Sequence, residues 1–117
     1  MLDPADVMAQ HATPIPSDDL KRIREISQAI FGAKHRLPMA VVIDSAPACE
    51  LYAEALAEPA GTTTVQAGAE LKHFAKAGLL DPLPEKRERG RRGRPPKRYA
   101  KRRSTIWKLA RKLAEEG

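Results

Sequence analysis

The sequence predicts a mainly α-helical domain with one small β-hairpin near its C-terminal end. Three observations predict this. Apolar residues make up 42% of the 117 residues but aromatic residues only 4%, so the core is small, rich in alanine and helical rather than a sheet sandwich. Five segments carry apolar residues at helical spacing. The stretch 79–103 has turn glycines and no helical period, which is typical of two short strands joined by a long tip.

The length of the chain has room for one domain with one hydrophobic core. We divide it into a flexible N-terminal arm (1–16), a domain (17–103, with the hairpin at about 79–103) and a C-terminal helix (104–117). Three prolines and little periodicity mark the arm.

The first helix is predicted to begin at Ser17, a capping residue followed by two acids, and to end at Gly32. Its apolar residues recur at spacings of three and four: Leu20, Ile23, Ile26, Ile30 and Phe31.

The second and third helices are predicted on either side of Pro47. Pro38 suits a first helical turn, and the segment through Ala46 is almost wholly apolar, which predicts a central place in the core. A short third helix is predicted to end at Pro59 and Gly61. Its apolar positions are Leu51, Ala55 and Leu56.

The fourth helix follows three threonines, 62–64, whose hydroxyls can cap it. Ala67, Leu71 and Phe74 line its inner face, and Gly78 closes it. After the hairpin, Ser104 is predicted to cap an amphipathic last helix.

Charge is concentrated in the hairpin. Residues 1–84 carry seven lysines and arginines against eleven acids, a formal charge of −4. Residues 85–103 carry eleven against two, a charge of +9, and the remainder adds +1 to give the total of +6. An acidic body with one concentrated basic element indicates a polyanionic partner.

Two motifs stand in order along the chain: LKHFAKAGLL at 71–80 and GRPPKRY at 93–99. They resemble the end of the recognition helix and the far wing strand of the winged helix-turn-helix in small bacterial regulators of the ArsR, MarR and PadR families. The resemblance covers roughly residues 36 to 100. It implies a transcriptional regulator, most simply a homodimeric repressor, that binds double-stranded DNA in the cytoplasm, on the nucleoid.

In a helix-turn-helix the second helix lies in the major groove, with its N-terminal residues nearest the bases. Gln66 suits an adenine edge and a threonine methyl suits thymine, but the helix has no arginine to read guanine. By position, the base-reading residues are Thr63, Thr64, Gln66, Ala69, Glu70 and His73.

The segment RGRPPK also resembles an AT-hook, whose Arg-Gly-Arg-Pro core lies in the narrow minor groove of A·T-rich DNA. The residues expected in the minor groove are Arg92, Gly93, Arg94 and Pro95. Those expected to contact phosphates are Lys72, Arg87, Arg89, Arg91, Lys97, Arg98, Lys101, Arg102 and Arg103.

The two terminal helices carry apolar stripes that a small core does not fully cover. Terminal helices commonly build the two-fold dimer in regulators of this type, so we expect a dimer surface here. Its residues are Ile23 and Ile30 on the first helix and Ile106, Trp107, Leu109, Ala110 and Leu113 on the last.

Other functions fit parts of the same pattern. An architectural protein that coats A·T-rich DNA, or a plasmid or phage replication, partition or excision factor, is an alternative, whereas RNA binding is disfavoured by the scarcity of aromatic residues.

No nucleophile, metal set or phosphate loop accompanies Glu54 or Glu70, so we expect neither catalysis nor a cofactor. Cys49 is the only cysteine, and a sensor role with His35 or His73 is an alternative to simple packing. No apolar run predicts a membrane partner, and no effector is indicated.

Overall fold

The computed structural model of the protein describes residues 13–46, 51–84 and 97–116. The described chain is mainly helical with one small antiparallel sheet, which confirms the predicted fold class at this level. Its elements are α1 (Ser17–Phe31), α2 (Arg36–Ser45), α3 (Ala53–Leu56), α4 (Thr64–Lys76), β1 (Leu80–Pro82), β2 (Tyr99–Lys101) and α5 (Thr105–Glu116).

The sheet pairs β1 with β2, with Leu80 opposite Lys101 and Pro82 opposite Tyr99. On its other side β2 meets a single extended residue, Leu51, whose N–H and C=O exchange 2.8 Å hydrogen bonds with Tyr99. Because both main-chain groups of Tyr99 are satisfied by Leu51, Pro82 loses no hydrogen bond for lack of an N–H. The sequence pattern predicted Leu51 on the third helix, and that prediction is wrong.

Helix α2 forms the centre of the core, as its apolar sequence predicted. The side chains of Leu37, Met39, Val42 and Ile43 are fully buried. Helices α1 and α5 pack against α2. Trp107 of α5 reaches the inner face of α4, where its ring meets Phe74 edge to face at 5.4 Å. This contact ties α4 to the last helix.

The predicted capping residues of α4 and α5 are confirmed. The Thr63 hydroxyl accepts a hydrogen bond from the Gln66 N–H at 3.2 Å, and the Ser104 hydroxyl accepts one from the Ile106 N–H. Gly61, in the turn before α4, has a φ of 65°. A Cβ there would clash with a side-chain methyl of Leu20 on α1, and the left-handed backbone strains any other residue, so glycine is favoured at this turn.

Other details differ from the prediction. Helix α2 begins at Arg36, two residues before Pro38, because proline is tolerated anywhere in a first turn that lacks amide partners. Helix α3 is one turn long, and Ala55 on it is exposed rather than buried. The last residues of the predicted arm are held to the body, since the Ile15 N–H donates to the Pro59 carbonyl. Residues 1–12 lie outside the described part.

Candidate nucleic-acid interface

The outward face of α4 carries most of the predicted base-reading residues. Thr63 and Thr64 lie at its N-terminus, and Gln66, Ala69 and His73 follow along one side; all five are exposed. This face therefore presents hydroxyl, amide and methyl groups to solvent near the N-terminal end of the helix.

Glu70 is the exception: it is buried and paired within the fold, so its role in base reading stays a prediction that this placement disfavours. Its side chain is 7% exposed, and its carboxylate accepts a 3.0 Å hydrogen bond from Nε of Arg36. The pair links α4 to the start of α2. A carboxylate that would repel DNA phosphates is thus turned inward, which leaves no described acid on the outward face of α4.

A cleft of about 420 Å³ separates the outward side of α4 from the base of the hairpin. Lys72 and Lys76 lie on its helix side, and Lys97 and Arg98 on its hairpin side. The described lining contains four cations and no acid. The remaining residues are small or apolar: Ala75, Pro82, Leu83, Pro84 and Tyr99.

Two of the predicted phosphate contacts, Lys101 and Arg102, already have partners within the described chain. The Lys101 ammonium donates to the carbonyls of Ile43, Asp44 and Ala46 at 3.1–3.3 Å. It therefore caps the C-terminal end of α2, where the helix dipole favours a cation, and its predicted phosphate contact would have to compete with these three carbonyls. Arg102 donates to the Gly78 carbonyl and pairs with Asp81 at 3.2 Å, so its guanidinium already has an anionic partner.

The other basic residues of the hairpin fall into two groups: those that the structure describes and those outside the described ranges. Lys97 and Arg103 are exposed, and Arg98 donates to the Pro84 carbonyl at 3.2 Å. Seven predicted contacts lie outside the described residues and remain predictions: Arg87, Arg89, Arg91, Arg92, Gly93, Arg94 and Pro95. Cys49 also lies outside them.

Three of the predicted dimer residues are buried within their own chain. Ile23, Trp107 and Ala110 are 3–4% exposed, and the Trp107 indole N–H donates to the Arg102 carbonyl at 3.0 Å. The core of their own chain already covers them, so they leave little surface for a second copy, although Ala110 lies at the floor of the groove described next.

The other four predicted dimer residues line one apolar groove. Ile30 is 54% exposed and Leu109 50%, while Ile106 and Leu113 are half-buried. The groove has a volume of about 470 Å³ and runs between the end of α1, α5 and the C-terminal half of α4. Phe31 lies at its edge, also partly exposed. This surface remains without a covering element in the described chain.

His35 lies just before α2, at its N-terminal end. Burial lowers its pKa, and the charges of Arg24 and Lys34 lower it further, while Glu70 acts in the opposite direction. Its Nδ1 has no hydrogen-bond partner in the described part of the chain. The neutral imidazole is therefore the form that the fold favours.

Neither a metal site nor a membrane span is found in the described ranges. Within residues 13–46, 51–84 and 97–116, no three histidine, cysteine, aspartate or glutamate side chains come together as a metal site. No helix there has the length and apolarity needed to cross a bilayer.

Sequence reasoning missed three features of this region. Lys76 belongs with Lys72 on the cleft, and its spacing of four on a helix was a usable signal. Val65 was not included among the predicted contacts, although it stands between two of them in the sequence. Its side chain is 81% exposed on α4. No local sequence pattern identified Arg36 as the partner of Glu70, because the two residues are 34 positions apart.

Compared with protein-family models, curated proteins and solved structures, the chain has no significant match.

Proposed function

We propose that the protein is a double-stranded DNA-binding regulator of transcription with a winged helix-turn-helix architecture. Helix α3, the turn through Gly61 and helix α4 would form the helix-turn-helix, and the β1–β2 hairpin would be the base of the wing. In this arrangement α4 enters the major groove and the hairpin follows the backbone beside it. Repression is the simplest regulatory outcome.

The observation that carries this proposal is the cationic cleft beside the exposed face of α4. Lys72, Lys76 and Lys97 line one opening whose described lining contains no acid. Glu70 on α4 and Asp81 on β1 are each paired with an arginine, Arg36 and Arg102. A DNA backbone that runs along such a cleft meets cations on both sides and no competing acid.

A homodimer is part of the proposal. The groove lined by Ile30, Ile106, Leu109 and Leu113 leaves large apolar side chains in water, which burial against a second copy would stabilise. We expect Leu109→Asp to give a monomer by analytical ultracentrifugation and to weaken DNA binding by removing the second half-site. An unchanged sedimentation coefficient for this variant, with wild type dimeric, would place the dimer contact elsewhere.

The first test is selection of bound duplexes from a random library at about 150 mM salt, near physiological ionic strength. A dimeric regulator gives a palindromic motif with half-sites about one helical turn apart. If no duplex is retained even at 50 mM salt, where phosphate contacts are strongest, the DNA-binding proposal is wrong.

A second candidate function is architectural binding to A·T-rich DNA. It is favoured by the exposed face of α4, where Gln66 and the threonines are the principal hydrogen-bonding groups near the N-terminus and no arginine is present. Selection would then enrich A·T content without a motif, because groove shape and backbone charge would determine binding.

A further inference from the structure

Val65 is the most exposed large apolar side chain in the described chain, at 81%. It lies in the first turn of α4, directly after Thr64 and before Gln66. A valine there has no packing role in the described chain, and β-branched residues are poor helix formers. Neither packing nor helix propensity therefore explains why an exposed valine stands at this position.

Val65 shares its side of α4 with Ala69, since residues four apart on a helix are neighbours. The two present adjacent methyl groups, and Ala69 is also exposed. Lys72 and Lys76 continue the same side toward the cationic cleft. The outward face of α4 is thus apolar near its N-terminus and basic farther along.

The chemistry of this face selects its partner. The cations beside the apolar pair favour a polyanion, and a polyanion whose interior offers methyl groups is DNA that contains thymine. In the major groove, the thymine C5-methyl is the apolar group that base edges present. Glu70 is turned inward to Arg36, so no described carboxylate opposes the close approach of a phosphate backbone.

We infer that Val65 and Ala69 read thymine through its C5-methyl group, while Gln66 beside them reads the edge of an adjacent adenine. This inference rests on the proposed function and specifies the sequence class of its target. It also changes the interpretation of α4: a helix with few hydrogen-bonding side chains discriminates bases by apolar contact.

The test starts from a duplex obtained by selection with the wild-type protein. Each thymine is replaced in turn by deoxyuridine, which removes the C5-methyl group and leaves the base pairing intact. Affinity is measured by fluorescence anisotropy for wild type, Val65→Ala and the control Gln28→Ala, an exposed α1 residue. Circular dichroism checks that all three are folded.

We expect wild type and Gln28→Ala to bind about four-fold more weakly when uracil replaces thymine at one or two positions per half-site. This is the effect of losing the burial of one methyl group, about 0.8 kcal/mol. Val65→Ala should lose little at those same positions. If no uracil substitution weakens wild-type binding, or if Val65→Ala keeps the full loss, the inference is overturned while DNA binding stands. If no duplex is bound at all, both the inference and the proposed function fail.

Discussion

Lys97 and Lys101 stand four residues apart on the returning arm of the hairpin, yet their ammonium groups lie in different surroundings. Lys97 is exposed beside Lys72 and Lys76 in the cleft. Lys101 is half-buried and donates to three carbonyls at the end of α2. One cation is available to a partner and the other holds the domain together.

The same division separates the carboxylates. Glu70 is buried against Arg36, whereas Glu54 is exposed on α3. A charge in the interior must be paired, because an unpaired ion there loses its hydration without compensation. Substitution of a buried, paired charge should therefore lower the free energy of unfolding, whereas substitution of the cleft cations should weaken DNA binding. Variants of both kinds test this difference.

The largest effect is expected from Glu70→Ala. It leaves Arg36 without its partner in a site that is only partly open to water, and we expect the free energy of unfolding in urea to fall by about 3 kcal/mol. The double variant Arg36→Met, Glu70→Leu should recover most of that loss. If Glu70→Ala changes the selected DNA sequence with no loss of stability, the residue reads bases after all.

The cleft gives the next effect, on binding rather than stability. Replacing Lys72, Lys76 and Lys97 by glutamine should reduce the slope of log affinity against log salt by about 2.7, since each phosphate that a lysine neutralises adds about 0.9 to that slope. Between 50 and 200 mM salt, the affinity of the variant should then fall about 40-fold less than that of wild type.

The matched control for the cleft replaces three exposed lysines elsewhere, Lys21, Lys108 and Lys112, by glutamine. Its net charge is identical to that of the cleft variant. Equal salt slopes for the two variants would mean that overall charge, not the cleft, governs binding.

Lys101→Met should lower stability by about 1–2 kcal/mol, because three carbonyls at the α2 terminus lose a charged donor. Its salt slope for DNA binding should match that of wild type. A slope reduced by about one, with unchanged stability, would mean that Lys101 binds a phosphate instead.

The smallest effect is a dependence of stability on pH through His35. Its pKa is lowered in the folded state, so the unfolded chain binds more protons as the pH falls below the ordinary value of 6.5. Stability should therefore be highest above pH 6.5 and decrease slightly below it. His35→Gln should flatten this part of the profile in urea unfolding at about pH 5.5–7.5; an unchanged profile would assign the dependence to other groups.

Much of the fold was predictable from local patterns. The inner face of α4, the caps at Thr63 and Ser104, and the central place of α2 follow from apolar spacing and capping chemistry, which act over one or two helical turns. The hairpin was predictable as a break in that periodicity. The short extended pairing of Leu51 with Tyr99 was not, because one residue carries no alternation to detect.

For the candidate site, the sequence by itself determined where positive charge is concentrated and which helix offers hydroxyl and amide groups at its start. The tertiary structure alone decided which of those charges are free to act. It turned Glu70 toward Arg36, drew Lys101 onto the end of α2 and buried Trp107 against Phe74. The physical reason is that each partner is remote in sequence, and pairing or burial depends on which elements pack together.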